Sequence, residues 1–183
     1  TVREHFGSLR GRKVVYIGDG RNNVARSLML GCAKAGMVFV NCTPPELAPP
    51  EAQVERACVL ADASGGSVAV ENDPAAAVQG AHVLYNDVWV SMGEEEQFEA
   101  RLQLLRPYQI DMQLVQATGN SDDDNVIYLH CLPAFHNNQT RLTAELGALE
   151  VTDEVFEAEF SRVFDLAENR RHTTKALFMA TLA

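Results

Sequence analysis

The stretch Lys13-Val-Val-Tyr-Ile-Gly-Asp-Gly20 decides the fold class, because a short β-branched strand runs directly into a glycine turn. Apolar residues at helical spacing follow over residues 23–34, so the unit is a strand, a tight turn and a helix. Four more short apolar runs come later in the chain: Met37–Val40, Ser67–Val70, His82–Tyr85 and Val126–His130. Strands of this kind that alternate with helices are typical of a parallel sheet covered on both faces.

Helical patterns occupy the segments between these runs and after the last of them. The predicted helices cover residues 51–63, 74–78, 94–105, 111–117, 139–146, 152–156 and 165–182. The sequence therefore predicts a doubly wound, Rossmann-like α/β fold with a parallel sheet of about five strands and helices on both faces. The apolar side of the long C-terminal helix carries Ala176, Leu177, Met179 and Ala180. Neither an internal repeat nor a low-complexity linker divides the sequence, so residues 1–183 are predicted to form a single domain.

The composition restricts the classes of partner. Fifteen Lys and Arg residues against 25 Asp and Glu residues give a formal net charge of −10 at pH 7. Nucleic acid and anionic membranes attract basic surfaces, so neither is expected as a partner, and no apolar run reaches the ~18 residues of a membrane span. The four cysteines form no C-x-x-C pair and we expect no secretory leader, which together predict reduced thiols and a cytoplasmic location.

Three groups of unusual residues follow predicted strands, where ligands bind in doubly wound sheets. The first is Gly18-Asp-Gly-Arg-Asn-Asn23, which lacks the third glycine of a dinucleotide fingerprint. The next strand ends without the acidic residue that holds a ribose, so no nicotinamide cofactor is expected, and we predict that the protein uses none. The helix amino end and the Asn23 amide are suited to a carboxylate. The alternative is that Asn23 caps the helix without a ligand.

The second group begins at Asp87, directly after the fourth strand, and includes Trp89, Ser91, Met92 and Gly93. Trp89 and Met92 are expected to be exposed, and together with Gly93 they are typical of a lid loop. Asp87 would pair with an ammonium group of a ligand, and Ser91 would add a small polar contact. The alternative is that Asp87 only caps a turn.

The third group is His130-Cys-Leu-Pro-Ala-Phe-His136, at the end of the fifth strand. Adjacent residues of a strand point to opposite faces, and the six-residue step to His136 matches no common zinc pattern, so no metal site is expected. Cys131 is instead a candidate nucleophile, because a thiolate forms more readily near cations or a helix amino end. The alternative is a buried thiol that packs as a small apolar residue.

Together these motifs resemble the aspartate/ornithine carbamoyltransferase superfamily and, within it, the ornithine carbamoyltransferases. Two further stretches carry the resemblance, Glu150-Val-Thr-Asp-Glu-Val-Phe156 and Ala167-Glu-Asn-Arg170, and it spans essentially the whole chain. The Cys-Leu-Pro block is specific to this enzyme class, and Asp-x-x-x-Ser-Met-Gly distinguishes ornithine users from aspartate users. The resemblance implies transfer of the carbamoyl group of carbamoyl phosphate to the side-chain amine of L-ornithine, which gives L-citrulline and phosphate.

The resemblance also implies roles for individual residues. The residues implied to bind ornithine are Asn23, Asp87, Ser91 and Met92. Those implied to take part in catalysis are Cys131, Asp87 and Arg170. Cys131 would lie beside the reacting amine, Cys131 and the Leu132 backbone would frame the carbamoyl group, and Arg170 would reach the carbamoyl phosphate oxygens.

The implied reaction is an acyl transfer without a covalent enzyme intermediate. An alkyl amine with a pKa near ~10.4 is unprotonated in only about one molecule in 10³ at neutral pH. Asp87 alone would favour the ammonium form, which is the wrong direction for a nucleophile. We hypothesise that desolvation overcomes this bias, with Cys131 accepting or relaying the proton.

Two motifs of the family are missing from the chain. The family binds carbamoyl phosphate mainly through an N-terminal domain with a Ser-Thr-Arg-Thr block and a His-Pro-x-Gln block, and neither occurs here. The chain is therefore expected to be the ornithine-binding half, inactive alone, of a protein that forms homotrimers or multiples of trimers. Two alternatives remain: a non-catalytic amino-acid-binding module, and a carbamoyltransferase for another amine such as putrescine. Ser91-Met92-Gly93 together with Asp87 favours an α-amino acid, because putrescine has no carboxylate or α-ammonium group to occupy these positions.

Overall fold

The sheet of the computed structural model has five strands, and residues 1–90, 98–121, 125–141 and 143–182 are described. The strands are Lys13–Ile17 (β1), Val38–Cys42 (β2), Ser67–Glu71 (β3), Val83–Asn86 (β4) and Ile127–His130 (β5). All neighbours pair in parallel, in the order β3-β2-β1-β4-β5. The predicted doubly wound parallel sheet is confirmed, with β2 running two residues further than its apolar run.

Helices connect the strands and follow the last of them. The longer helices are Asn23–Lys34 (α2), Glu51–Ser64 (α3), Phe98–Leu105 (α5) and Val163–Leu182 (α9). The shorter ones are Val2–Phe6 (α1), Pro74–Ala77 (α4), Met112–Gln116 (α6), Thr143–Leu146 (α7) and Asp153–Phe156 (α8). Residues 139–141, predicted as helix, form a turn instead, because the Thr140 hydroxyl accepts a hydrogen bond from the Thr143 N–H at 3.1 Å. The predicted start of α5 at residues 94–97 lies outside the described residues.

The two faces of the sheet bury separate apolar clusters. Successive residues of β1 point to opposite faces, so Val15 and Ile17 belong to one cluster while Val14 and Tyr16 belong to the other. The first cluster includes residues of α4, α6 and α8, and the second includes residues of α2 and α3. Helices therefore cover both faces, as the uninterrupted apolar strands predicted.

The last helix differs from the rest of the molecule. Val163, at its start, is its one buried residue among those described, and residues 170–182 are all exposed. The apolar side that the spacing predicted is present, but Leu177 is 60% exposed and Met179 is 74% exposed. A helical pattern predicts an apolar side and does not say what covers it, and nothing in the described chain covers this one.

Within the described ranges, no helix is both long enough and apolar enough to cross a membrane.

Candidate functional site

The three sequence motifs meet at one edge of the sheet. The strand order places β4 between β1 and β5, and residues Tyr16 and Tyr85, then Asn86 and His130, are partners in the parallel ladders. The carboxyl ends of these three strands are therefore neighbours. This edge is also where the strand order reverses direction, which is the ligand position in doubly wound sheets.

The turn after β1 is built around a close backbone approach at Gly20. A Cβ atom there would lie 2.9 Å from the Leu47 carbonyl oxygen and 3.0 Å from the Asn41 side-chain oxygen. The Gly20 N–H donates to Thr43 Oγ1 at 3.1 Å, and Asn41 Nδ2 donates to the Gly20 carbonyl at 3.2 Å. Asn41, at the position that holds a ribose in dinucleotide folds, thus stabilises the turn.

Asn22, and not Asn23, caps the helix that follows. Asn22 Oδ1 accepts a hydrogen bond from the Val24 N–H at 2.7 Å, which satisfies one of the unpaired donors of the first helical turn. The expectation that Asn23 is the cap was wrong by one residue. Asn23 is the first residue of α2, is exposed, and lines a cavity together with Tyr85.

Asp87 lies half-buried just beyond β4. Its Oδ1 accepts a hydrogen bond from the Val88 N–H at 2.9 Å. Burial raises the pKa of Asp87 above its ordinary value, while the Val88 hydrogen bond, His130 and the Asn22 side chain oppose the shift. A carboxylate that is penalised by burial gains from a cationic partner, so this position is suited to an ammonium group.

Cys131 and Arg170 line one cavity of about 360 Å³, between the end of β5 and α9. Cys131 is exposed, so the alternative of a buried thiol is wrong. Desolvation, and then Asp87, raise the pKa of the Cys131 thiol, and Arg170 opposes the shift. The direction favours the thiol over the thiolate at neutral pH.

Leu132 turns the chain sharply directly after Cys131. It has a φ of 51°, in the left-handed region, and its N–H donates to His130 Nδ1 at 2.9 Å. A leucine at positive φ is uncommon and is kept only where the surroundings hold it, which is typical of functional sites. The backbone at Leu132 is therefore fixed by the residue two positions before it.

Sequence reasoning missed Glu150, which lies behind the Cys-Leu-Pro segment. His130 Nε2 is 3.3 Å from Glu150 Oε1, and both side chains are fully buried. Because His130 Nδ1 accepts the Leu132 N–H, the neutral ring carries its proton on Nε2, facing the carboxylate. Glu150 Oε1 also accepts the Phe135 N–H at 2.6 Å. A single glutamate between the apolar residues Leu149 and Val151 was the available signal.

Two further polar side chains complete this buried network. Asn86 Nδ2 donates to the Glu150 carbonyl at 2.7 Å, and the Tyr128 hydroxyl donates to Asn86 Oδ1 at 2.7 Å. The network connects β4, β5 and the segment before α8. It accepts the N–H groups of Leu132 and Phe135, and so ties the segment after Cys131 to His130 and Glu150.

The segment after Asp87 is only partly described. Ser91, Met92 and Gly93 lie outside the described residues. Trp89, expected to be exposed, is 2% exposed and packs with Leu102 of α5 in a third apolar cluster. The expectation was wrong because the covering residues come from an element more than ten positions further along the chain.

His136 is separate from the chemistry around Cys131. Its Nδ1 lies 2.6 Å from Asp153 Oδ1, and its ring stacks on Phe156 with ring centres 3.8 Å apart. Among the described residues, His136, Asp153 and Glu157 place their possible metal-ligand atoms within 4.8 Å of one another. His130 and Cys131 do not belong to this group, and a hydrogen-bonded histidine–carboxylate pair accounts for its geometry.

Comparisons with known proteins agree on one family. Residues 10–181 match the family described as aspartate/ornithine carbamoyltransferase, Asp/Orn binding domain. The chain is 54% identical to the catabolic ornithine carbamoyltransferase of Bacillus licheniformis and 48% identical to that of Staphylococcus aureus, over 100% of this chain and 55% of each relative. The chain therefore spans about half the length of the curated relatives it matches.

Solved structures give the same result. The fold is similar to ornithine carbamoyltransferase from Gloeobacter violaceus, with a TM-score of 0.83 and 42% identity, over 100% of this chain and 55% of that one. It is also similar to the enzyme from Pyrococcus furiosus, with a TM-score of 0.83 and 41% identity, over 97% of this chain and 51% of that one.

Proposed function

Because this chain belongs to the aspartate/ornithine carbamoyltransferase family, we propose that residues 1–183 are the single ornithine-binding domain of an ornithine carbamoyltransferase. The full-length enzyme transfers the carbamoyl group of carbamoyl phosphate to the side-chain amine of L-ornithine and releases L-citrulline and phosphate. The observation that carries the proposal is the meeting of Asp87, Cys131 and Arg170 at one edge of the sheet. The transfer has no redox step, so the proposal includes no cofactor.

In the proposed site, the two charged ends of ornithine bind to different groups. Asp87 holds an ammonium group, because a half-buried carboxylate gains from a cation beside it. The amino end of α2, with Asn23 on its first turn, receives the carboxylate, since unpaired N–H groups and the helix dipole favour an anion there. The roles of Ser91 and Met92 in this site rest on the sequence resemblance alone.

The proposed chemistry begins with the loss of a proton from the side-chain ammonium group to bulk water, before the site closes around the amine. Only about one alkyl amine in 10³ is unprotonated at neutral pH, so the site has to lower the pKa of the amine. Desolvation does so, and the positive charge of Arg170 beside Cys131 acts in the same direction. The same positive charge attracts the oxygens of carbamoyl phosphate.

The bond changes then follow from the position of Cys131. The amine nitrogen attacks the carbamoyl carbon, and the bond from that carbon to the phosphate oxygen breaks, with the electron pair leaving on phosphate. The raised pKa of Cys131 keeps it a thiol, so we propose that it relays the proton, giving its own toward the leaving phosphate as it takes the one from the amine. The Leu132 backbone, fixed by His130, frames the carbamoyl group.

Two features support a half-enzyme that is inactive alone. A dianionic phosphate needs several converging donors, and among the described residues Arg170 is the one arginine or lysine that lines the cavity with Cys131. The apolar residues of α9, among them Leu177 and Met179, are exposed, as in surfaces that contact another protein segment. We propose that the rest of the enzyme covers them and supplies most phosphate contacts. Assembly into homotrimers or multiples of trimers, and a cytoplasmic location, are further proposals from the resemblance.

The experiment compares amines in the full-length enzyme that contains this chain. We expect citrulline from carbamoyl phosphate and L-ornithine, and far less product from putrescine, which has no carboxylate. The chain of 183 residues by itself is the matched control and is expected to give no turnover. Preference for putrescine would assign a different amine, and a full-length protein that binds ornithine without turnover would favour the binding module.

A further inference from the structure

Arg101 of α5 is a buried cation outside the groups that contact the proposed substrates. Its side chain is 7% exposed, and its Nη1 lies 2.6 Å from Asp19 Oδ2, whose side chain is 10% exposed. The same nitrogen donates to the Trp89 carbonyl at 3.4 Å. One guanidinium group therefore joins three segments that are distant in sequence: the turn after β1, the residues after β4, and α5.

Asp19 transmits this contact to the turn after β1. Its Oδ1 accepts the Arg21 N–H at 2.9 Å, and its carbonyl accepts the Asn22 N–H at 3.0 Å. The carboxylate is thus held by Arg101 on one side and by the turn backbone on the other. A displacement of Asp19 would move the cap of α2.

Both ends of this connection lie close to Asp87. Asn22, whose N–H donates to the Asp19 carbonyl, has a side chain that favours the charged form of Asp87. Trp89, whose carbonyl accepts from Arg101, is two residues after Asp87 in the chain. The contacts of Arg101 therefore lead toward Asp87 through two separate segments.

Stability alone is a poor reason for this ion pair. The desolvation of two buried charges offsets most of their attraction, and apolar residues of the same volume are often as stabilising. Leu102 and Leu105, on the same helix, are buried apolar residues of that kind. Unlike another leucine, the Arg101–Asp19 ion pair joins α5 to the turn after β1 through a contact of fixed geometry.

Resting on the proposed function, we propose that Arg101 is a positioning residue of the ornithine site. Through Asp19 and the Trp89 carbonyl, it holds the turn that carries Asn22 in register with Asp87. Its loss weakens ornithine binding and leaves the binding of carbamoyl phosphate unaffected. This pattern separates it from a residue that only stabilises the fold.

The test measures kcat and both KM values of the full-length enzyme with Arg101→Gln. We expect the KM for ornithine to rise about tenfold or more, with kcat reduced less than about threefold and the KM for carbamoyl phosphate within about twofold of wild type. Arg101→Lys keeps the positive charge, so its KM for ornithine should lie between those of wild type and Arg101→Gln. Asp19→Asn should raise the KM for ornithine severalfold. The double variant of Arg101→Gln and Asp19→Asn should be no worse than Arg101→Gln, because both changes remove one interaction.

Arg106→Gln is the matched control. Arg106 follows α5 directly, is exposed, and donates only to the Ala148 carbonyl among the contacts described for it. Its KM for ornithine should equal that of wild type. An ornithine KM within twofold of wild type in Arg101→Gln, or an equal rise in both KM values, would overturn the positioning role.

Two further outcomes are also decisive. If Arg101→Gln does not fold, the test uses the KM for ornithine of Arg101→Lys and of Asp19→Asn. Wild-type values in both variants would overturn the proposal. If the wild-type full-length protein forms no citrulline, the proposed function fails, and the failure is distinct from that of the positioning role.

Discussion

The carboxyl edge of the sheet buries polar side chains, whereas the last helix exposes apolar ones. At the sheet edge, His130 and Glu150 are polar groups with fully buried side chains. On α9, Leu177 and Met179 are apolar groups that are mostly exposed. Buried polar groups are costly unless they are paired, and exposed apolar patches are typical of surfaces that contact another segment. At the sheet edge the buried groups therefore face each other within this chain, whereas the apolar side of α9 at Leu177 and Met179 is covered by none of the described residues.

The largest expected effect is the loss of stability when the buried contact between His130 and Glu150 is removed. Glu150→Ala removes the acceptor of the Phe135 N–H and the carboxylate beside His130. The change leaves two buried donors, His130 Nε2–H and the Phe135 N–H, without an acceptor, at about 1–3 kcal/mol each, so we expect the free energy of unfolding to fall by about 2–5 kcal/mol. Urea unfolding of the chain measures it.

The control for this variant is Glu154→Ala, an exposed glutamate on α8. Exposed substitutions away from special contacts change stability by about 0.5 kcal/mol or less. A loss below about 1 kcal/mol for Glu150→Ala would mean that the pair does not hold the segment 131–135.

The second prediction tests the function that the buried edge serves. Asp87→Asn keeps the size of the side chain but removes the charge proposed to hold an ammonium group. A hydrogen bond to a charged group contributes about 1.5–3 kcal/mol, so kcat/KM for ornithine in the full-length enzyme should fall about ten- to a hundredfold. Asp62→Asn, an exposed acid on α3, is the control and should match wild type. Equal activity of Asp87→Asn and wild type would remove Asp87 from the site.

The strands and the position of the three motifs at strand ends could be predicted because both depend on local patterns. Short apolar runs give the strands, and motifs that follow parallel strands lie at one edge of the sheet. The burial of Trp89, the pairing of His130 with Glu150 and that of Asp19 with Arg101 could not be predicted. These contacts join residues 12 to 82 positions apart, and no local pattern specifies such a partner.

The helix boundaries show a second kind of limit. Asn22 and Asn23 are both suitable caps, and only the backbone geometry selects Asn22. The apolar spacing of α9 predicted the side on which Leu177 and Met179 lie, but its exposure depends on what lies beyond this chain's own contacts. Sequence patterns thus locate faces and edges better than they identify partners.

The third prediction concerns pH and has a smaller effect. Burial raises the pKa of Asp87 in the folded state, so the folded chain binds this proton more tightly than the unfolded chain does. The stability that this group contributes is present at acid pH and is lost as the pH rises through the raised pKa. Asp87→Asn should therefore stabilise the isolated chain by a fraction of a kcal/mol at pH 7 and leave it unchanged near pH 3, below the ordinary pKa of the carboxyl.

Thermal unfolding of both forms across this range measures the difference. A functional residue whose replacement stabilises the fold is expected where activity requires a penalised charge. Lower stability of Asp87→Asn at pH 7 would show that the Val88 hydrogen bond and the Asn22 side chain outweigh the burial of the carboxylate.

The smallest expected effect is on the exposed side of the comparison. Leu177→Glu combined with Met179→Glu replaces two apolar groups that face solvent, so the unfolding free energy of the chain should change by about 0.5 kcal/mol or less. In the full-length enzyme the same change places two charges in the proposed contact with the rest of the protein, and burying an unpaired charge is costly. We expect that enzyme to unfold at a clearly lower temperature than wild type. Leu177→Ala with Met179→Ala is the control for lost apolar area without charge. An equal response of chain and enzyme to the glutamates would mean that α9 has no partner, and that its exposed apolar side belongs to the surface of the complete protein.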